Sequence, residues 1–115
     1  MANCRSDQED FAKIYGWHVY VVTELGAADF SKIGTAGVPA NRLMGLQNGN
    51  PRRLTVAGLW HFKSRQEAMQ VEKAAHKRLA EKRIPQRDWF ACSADDLVAA
   101  VCELCAGIPA ARRIA

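Results

Sequence analysis

The chain has 115 residues, a length that fits one domain around one core, since domains typically take about 100–150 residues. With 49% hydrophobic and 24% charged residues, and only 8 Gly and 4 Pro, it is neither a disordered, a collagen-like nor a coiled-coil chain. Lys and Arg outnumber Asp and Glu by 16 to 12, a formal charge of +4 that permits a polyanionic partner without requiring one.

No run approaches the roughly 18 apolar residues of a membrane span, so no membrane contact is expected. Residues 1–15 read as a polar arm of mixed charge, unlike a secretory signal, which points to a cytoplasmic, reducing setting. Cys102 and Cys105 form a C-x-x-C inside an apolar, helical-looking stretch, while Cys4 and Cys92 stand alone; all four are expected as thiols.

Taken in chain order, Trp17–Thr23 is rich in β-branched and aromatic residues and predicts a buried strand. Leu25–Asp29 reads as a turn and Phe30–Gly34 as a second strand, giving a hairpin. Pro39 opens a short helix, ended by the turn residues Asn48-Gly49-Asn50-Pro51. Leu54–Phe62 predicts a third strand. Ser64 and Glu67 spell a capping box, starting a helix expected to reach Arg83 before Ile84-Pro85 stops it. Asp88–Ala91 is a short extended segment. Ser93 with Asp95 and Asp96 opens a last helix running to about Ala106. The order β-β-α-β-α-(β)-α implies an α+β domain over residues 16–106, a small, mostly antiparallel three-stranded sheet flanked by helices, with 107–115 as a tail.

On a wheel of about 100° per residue, Ala68, Met69, Val71, Ala75 and Leu79 form an apolar stripe on the long helix. Glu72, His76 and Arg83 fall inside that sector, whereas Lys73, Lys77 and Glu81 lie opposite it. A carboxylate at an apolar face is costly unless paired or bound to a cation. Glu72 is therefore expected either in an ion pair with Arg83 or Arg42, or at a metal. Arg42 shares a face with Leu43 and Leu46 on the short helix. Lys32 sits between Phe30 and Gly34 in the second strand, and Tyr20 follows His18 on one face of the first. A phenol, an ammonium, a guanidinium, an imidazole and a carboxylate are thus candidates for one phosphodiester-cleaving site.

These residues, in this order, resemble the GIY-YIG endonuclease superfamily. His18-Val19-Tyr20 stands in place of its first motif and Lys32-Ile33-Gly34 in place of its second. The likeness is closer to a short phage and bacterial branch with K-I-G, R-x-x-x-L-Q-x-G-N-P, E-x-x-x-H and E-W-F. Here these read Lys32–Gly34, Arg42 with Leu46–Pro51, Glu72 with His76, and Asp88-Trp89-Phe90, over residues 16–92. His18 replaces the first motif's Gly, Lys32 a Tyr, and the family's late Asn has no clear counterpart.

What the resemblance implies is metal-dependent hydrolysis of DNA. Glu72 would hold Mg²⁺ or Mn²⁺, Tyr20 would accept a proton from the attacking water, and Arg42 would clamp the phosphate. A phenol ordinarily titrates near 10, so Lys32 and Arg42 would supply the positive charge that a Tyr base needs. His76 would orient water, bind phosphate or protonate the leaving group. Lys32, Arg42, Lys73 and Lys77 are the expected DNA contacts. With about 15 residues before the core and about 23 after Cys92, the chain is expected to act with weak sequence preference, to recognise a DNA structure, or to take its specificity from a partner protein. Two other functions stay open: a nucleic-acid-binding module without chemistry, and an interaction domain that self-associates through Leu97, Val98, Val101 and Leu104.

Overall fold

The structure, a computed structural model, describes residues 16–25, 27–85 and 89–115, with only the backbone of residues 27–29. The polar arm, Cys4 and Asp88 lie outside the described residues. The elements are β1 (His18–Glu24), β2 (Ala27–Ala36), α1 (Pro39–Asn48), β3 (Leu54–His61), α2 (Arg65–Arg78), β4 (Trp89–Phe90), α3 (Ala94–Cys105) and β5 (Arg112–Arg113), with a 3-10 turn at Ala80–Lys82. The strands form one antiparallel sheet in the order β4-β2-β1-β3-β5.

The α+β class and the element order match the sequence expectation, but the sheet has five strands instead of three. The additions are two-residue strands at the two edges: β4 lies in the segment expected to be extended, and β5 is too short to carry a period in the sequence. One of them, β5, lies in the segment expected to be a tail. It pairs Arg112 with His61 and Arg113 with Trp60. The hairpin turn is also tighter than expected, because Glu24 already pairs with Ala27.

Side chains alternate across β1, and the two faces are covered by different helices. Val19 and Val21 face α2 and α3, in a core with Ile33, Trp60, Phe62, Phe90, Val71, Leu97 and Val101. Each large side chain buried there contributes about 1.5–3 kcal/mol. Tyr20 and Val22 face the other way, toward α1, with Ala36, Leu59, Leu43, Leu46 and Trp89. Leu97 and Val101, two of the residues considered for self-association, are inside the first core.

Short-range chemistry sets the helix ends. Ser64 Oγ accepts from the Glu67 backbone N–H at 3.2 Å, so half of the capping box forms. The reciprocal half does not, and Glu67 Oε1 is buried without a hydrogen-bond partner among the described residues. The helix stops at Arg78, with Leu79 as its C-cap, earlier than expected. Arg83 consequently lies beyond it in extended backbone, exposed, and bridges to Phe90. In α3, Ser93 Oγ accepts from the Asp96 N–H at 3.3 Å, and the acids at 95 and 96 sit at the positive end of the helix.

The L-Q-x-G-N-P stretch has a structural explanation. Gln47, on the last turn of α1, accepts from the Leu54 N–H at 2.8 Å through Oε1. Its Nε2 donates to the carbonyls of Arg52 and Asn50. Asn50 Oδ1 accepts from the Arg52 N–H at 2.9 Å. One amide thereby fixes the loop that delivers the chain into β3. At the opposite end of the sheet, the Gly16 N–H donates to Gly37 O at 3.0 Å and the Phe62 N–H to Trp17 O at 2.8 Å.

Candidate active site

Tyr20 is fully buried at the centre of the α1 face. Directly across the register on β2 is Gly34. A Cβ at that position would lie 2.6 Å from Tyr20 Cζ and closer still to its hydroxyl, so the ring occupies the space a side chain would need. This close approach is the physical reason for Gly in the Lys32-Ile33-Gly34 motif. Arg42, itself exposed on α1, reaches back and donates from Nε to Tyr20 Oη at 3.4 Å. Lys32 is 6% exposed, on the same sheet face, with Val22 beside it on β1 and Trp89 on β4. Three of the expected groups therefore share one face of the sheet.

Glu72 and His76 are carried by α2, which packs on the other face through Ala68, Val71 and Ala75. Glu72 Oε1 lies 3.7 Å from His76 Nε2, and both side chains are about a quarter or less exposed. Glu72 thus lies beside His76, one turn on, and not against Arg83 or Arg42, and His76 Nε2 is buried with no hydrogen-bond partner among the described residues. The His76 ring meets Phe90 edge-on at 5.0 Å.

The two groups lie beside clefts that have one lining residue in common. A cleft of about 550 Å3 is lined by Trp17, Gly37, Asn41, Arg42, Arg65 and Met69, among others. A neighbouring cleft of about 300 Å3 is lined by Met69, Glu72, Lys73 and His76. Met69, expected in the buried stripe, is only half-buried and forms a wall of both. Lys73 borders the second cleft, while Lys77 is exposed farther along α2 and lines neither.

Two residues of the first cleft escaped the sequence reading, Arg65 and Trp17. The Arg65 guanidinium lies 5.3 Å above the Trp17 ring, within cation–π range. An Arg at the first position of a helix reads as a solvated charge, and only tertiary structure brings it over Trp17.

His18, which replaces the first motif's Gly, is buried, and its Nδ1 lies 2.6 Å from Gly16 O. A carbonyl only accepts, so Nδ1 carries the proton, and Nε2 has no partner among the described residues. Burial holds its pKa below the usual histidine value. The Gly16 carbonyl opposes that shift, and His61, 5.0 Å away edge-on, adds to it. Gly16 itself has φ 105°, a conformation that favours glycine. Cys92, Cys102 and Cys105 are free thiols. Burial, with the neighbouring Cys102, pushes Cys105 up to about 11, unlike a redox C-x-x-C pair. Among the described residues there is no cluster of three or more His, Cys, Asp or Glu placed to hold a metal, and no helix long and apolar enough to cross a membrane.

Comparison with known proteins places the family. No curated protein and no solved structure matches the chain. The family model described as the T5orf172 domain matches residues 17–105, from the strand that carries Tyr20 to the end of α3. That span covers well over half of the chain, and the chain belongs to the T5orf172 domain family.

Proposed function

We propose that the chain is a GIY-YIG-type endonuclease that hydrolyses DNA phosphodiester bonds with the help of a divalent metal. The observation that carries the reading is a wall shared by two clefts. Arg42, a phosphate-binding cation bonded to Tyr20, lines one and the Glu72 carboxylate lines the other, and Met69 lines both.

A hard divalent ion fits the Glu72 cleft by its donor chemistry: one carboxylate about a quarter exposed, with room for the waters that Mg²⁺ or Mn²⁺ retains. Such an ion would supply Lewis acidity toward the scissile phosphate when bound. Glu72 would hold it, and His76 would orient a water or a phosphate oxygen beside it. Arg42 would clamp the non-bridging oxygens as charge builds in the transition state. Because Tyr20 is wholly buried beneath Arg42, movement of Arg42 onto the phosphate is what would open the phenol to the attacking water. Lys32 keeps a positive charge on the same face.

Glu72→Gln keeps size and helix propensity but removes the charge. With supercoiled plasmid and Mn²⁺, wild type is expected to nick and E72Q to lose nicking with an unchanged Tm. Undiminished metal-dependent nicking by E72Q would refute the assignment.

A second reading, a nucleic-acid-binding module without hydrolysis, draws on the full burial of Tyr20 and on Lys32 standing where the family has a second phenol. There Tyr20 would only brace Arg42. DNA binding by a wild-type protein that nicks nothing under any divalent ion would select this reading.

A further inference from the structure

Arg65 has a position and a set of neighbours that the proposed chemistry does not use. It is exposed at the start of α2, its guanidinium is held over Trp17 at 5.3 Å, and it makes no ion pair among the described residues. Stacking on an indole limits the rotamer freedom of a long side chain and leaves its N–H donors in the ring plane free to bind outward. The cleft it enters also receives Arg42 and the amide side chain of Asn41, and no Asp or Glu among the described residues lines it. Two guanidinium groups lining one cleft offer planar N–H donors suited to an anion with several acceptor oxygens.

We infer that Arg65, braced by Trp17, grips a backbone phosphate of the DNA strand adjacent to the phosphate met by Arg42. The inference rests on the reading of the chain as a DNA-binding protein and adds to it a second anchor on the strand. The line Arg65, Arg42, Met69, Glu72 then gives the strand a path: it enters over Trp17 and passes the reacting phosphate toward the Glu72 cleft. A contact to phosphate carries affinity and register, and no base preference.

The experiment is binding of a fluorescein-labelled DNA duplex by anisotropy, in EDTA to prevent cleavage, across a series of KCl concentrations. Each phosphate contact contributes about 0.9 to the slope of log affinity against log salt. R65A is expected to bind about tenfold more weakly and to flatten the slope by about 1. R65K, which keeps the charge but loses the planar fork, should retain most of the slope at reduced affinity. R112A removes the same charge on the edge strand β5, outside the lining of the Arg65 cleft, and should leave the slope unchanged. The inference is overturned by a wild-type slope in R65A, or by an equal flattening in R112A, which would make the effect one of net charge. If R65A keeps the slope while E72Q abolishes nicking, the anchor falls and the nuclease reading stands. Absence of any DNA binding by wild type sinks both.

Discussion

Gly34→Ala is the substitution with the most specific expected consequence. The new methyl would sit 2.6 Å from Tyr20 Cζ and 3.0 Å from Cε2, against an ordinary carbon contact of about 3.5–4.0 Å. The ring would have to move by about 1 Å. It has little room to do so, because Tyr20 is fully buried, with Leu59 across the register on β3 and α1 above. Over-packing of this kind costs about 1–3 kcal/mol, which for a domain of this size corresponds to a Tm lower by about 4–15 °C. Removing the phenol hydroxyl takes away the atom nearest the methyl. In a cycle with Tyr20→Phe, the double variant should therefore lose less than the sum of the single losses, with a coupling of about 1 kcal/mol. Thermal melts and urea titrations of the four proteins measure this. A Gly34→Ala protein that melts within about 1 °C of wild type, or strict additivity in the cycle, would show that the close approach is not what demands glycine.

Two other expectations concern the loop and the buried imidazole. Gln47→Leu removes the acceptor of the Leu54 N–H and the donor to two carbonyls, and should lower stability by about 1–3 kcal/mol, seen as a lower urea midpoint; an unmoved midpoint would mean that the loop holds itself. For His18, the folded pKa lies below the unfolded value near 6.5, so the unfolded chain takes up this proton first as pH falls. His18 therefore contributes stability that is present above about pH 6.5 and is lost as pH falls through that value toward the folded pKa. An NMR titration of the folded protein should find the His18 midpoint below 6.5, and a midpoint at or above 6.5 would contradict the burial argument.

Much of the fold was legible because its long elements carry strong local signals. β1 and β3 are β-branched and aromatic, α1 opens on proline, and α2 and α3 each follow a capping serine that the structure confirms. Of the edge strands, Trp89–Phe90 fell within a segment read as extended, whereas Arg112–Arg113 was not legible, being a strand only because Trp60 and His61 offer backbone partners. Among the candidate residues, the helical wheel placed Glu72 and His76 together, and the shared apolar face of α1 put Arg42 within reach of Tyr20. The wheel failed at Arg83, because the helix ends before reaching it. It also missed Met69 as a divider between two clefts. Arg65 over Trp17 depends on how α2 leaves β3, a tertiary fact with no period in the sequence.

The backbone ties at residues 16 and 17 have a consequence for how this protein can vary. Gly16 is bonded to the exit of β2, from which α1 departs, and Trp17 to the exit of β3, from which α2 departs. The offset between the two helices, and with it the separation of Arg42 from Arg65, is thus set by peptide groups that nearly every amino acid possesses. The ties themselves place no demand on side chains, and Trp17 and Phe62 are held to their identities by other contacts, under Arg65 and in the core. Only Gly16, by its φ of 105°, ties that spacing to one kind of residue.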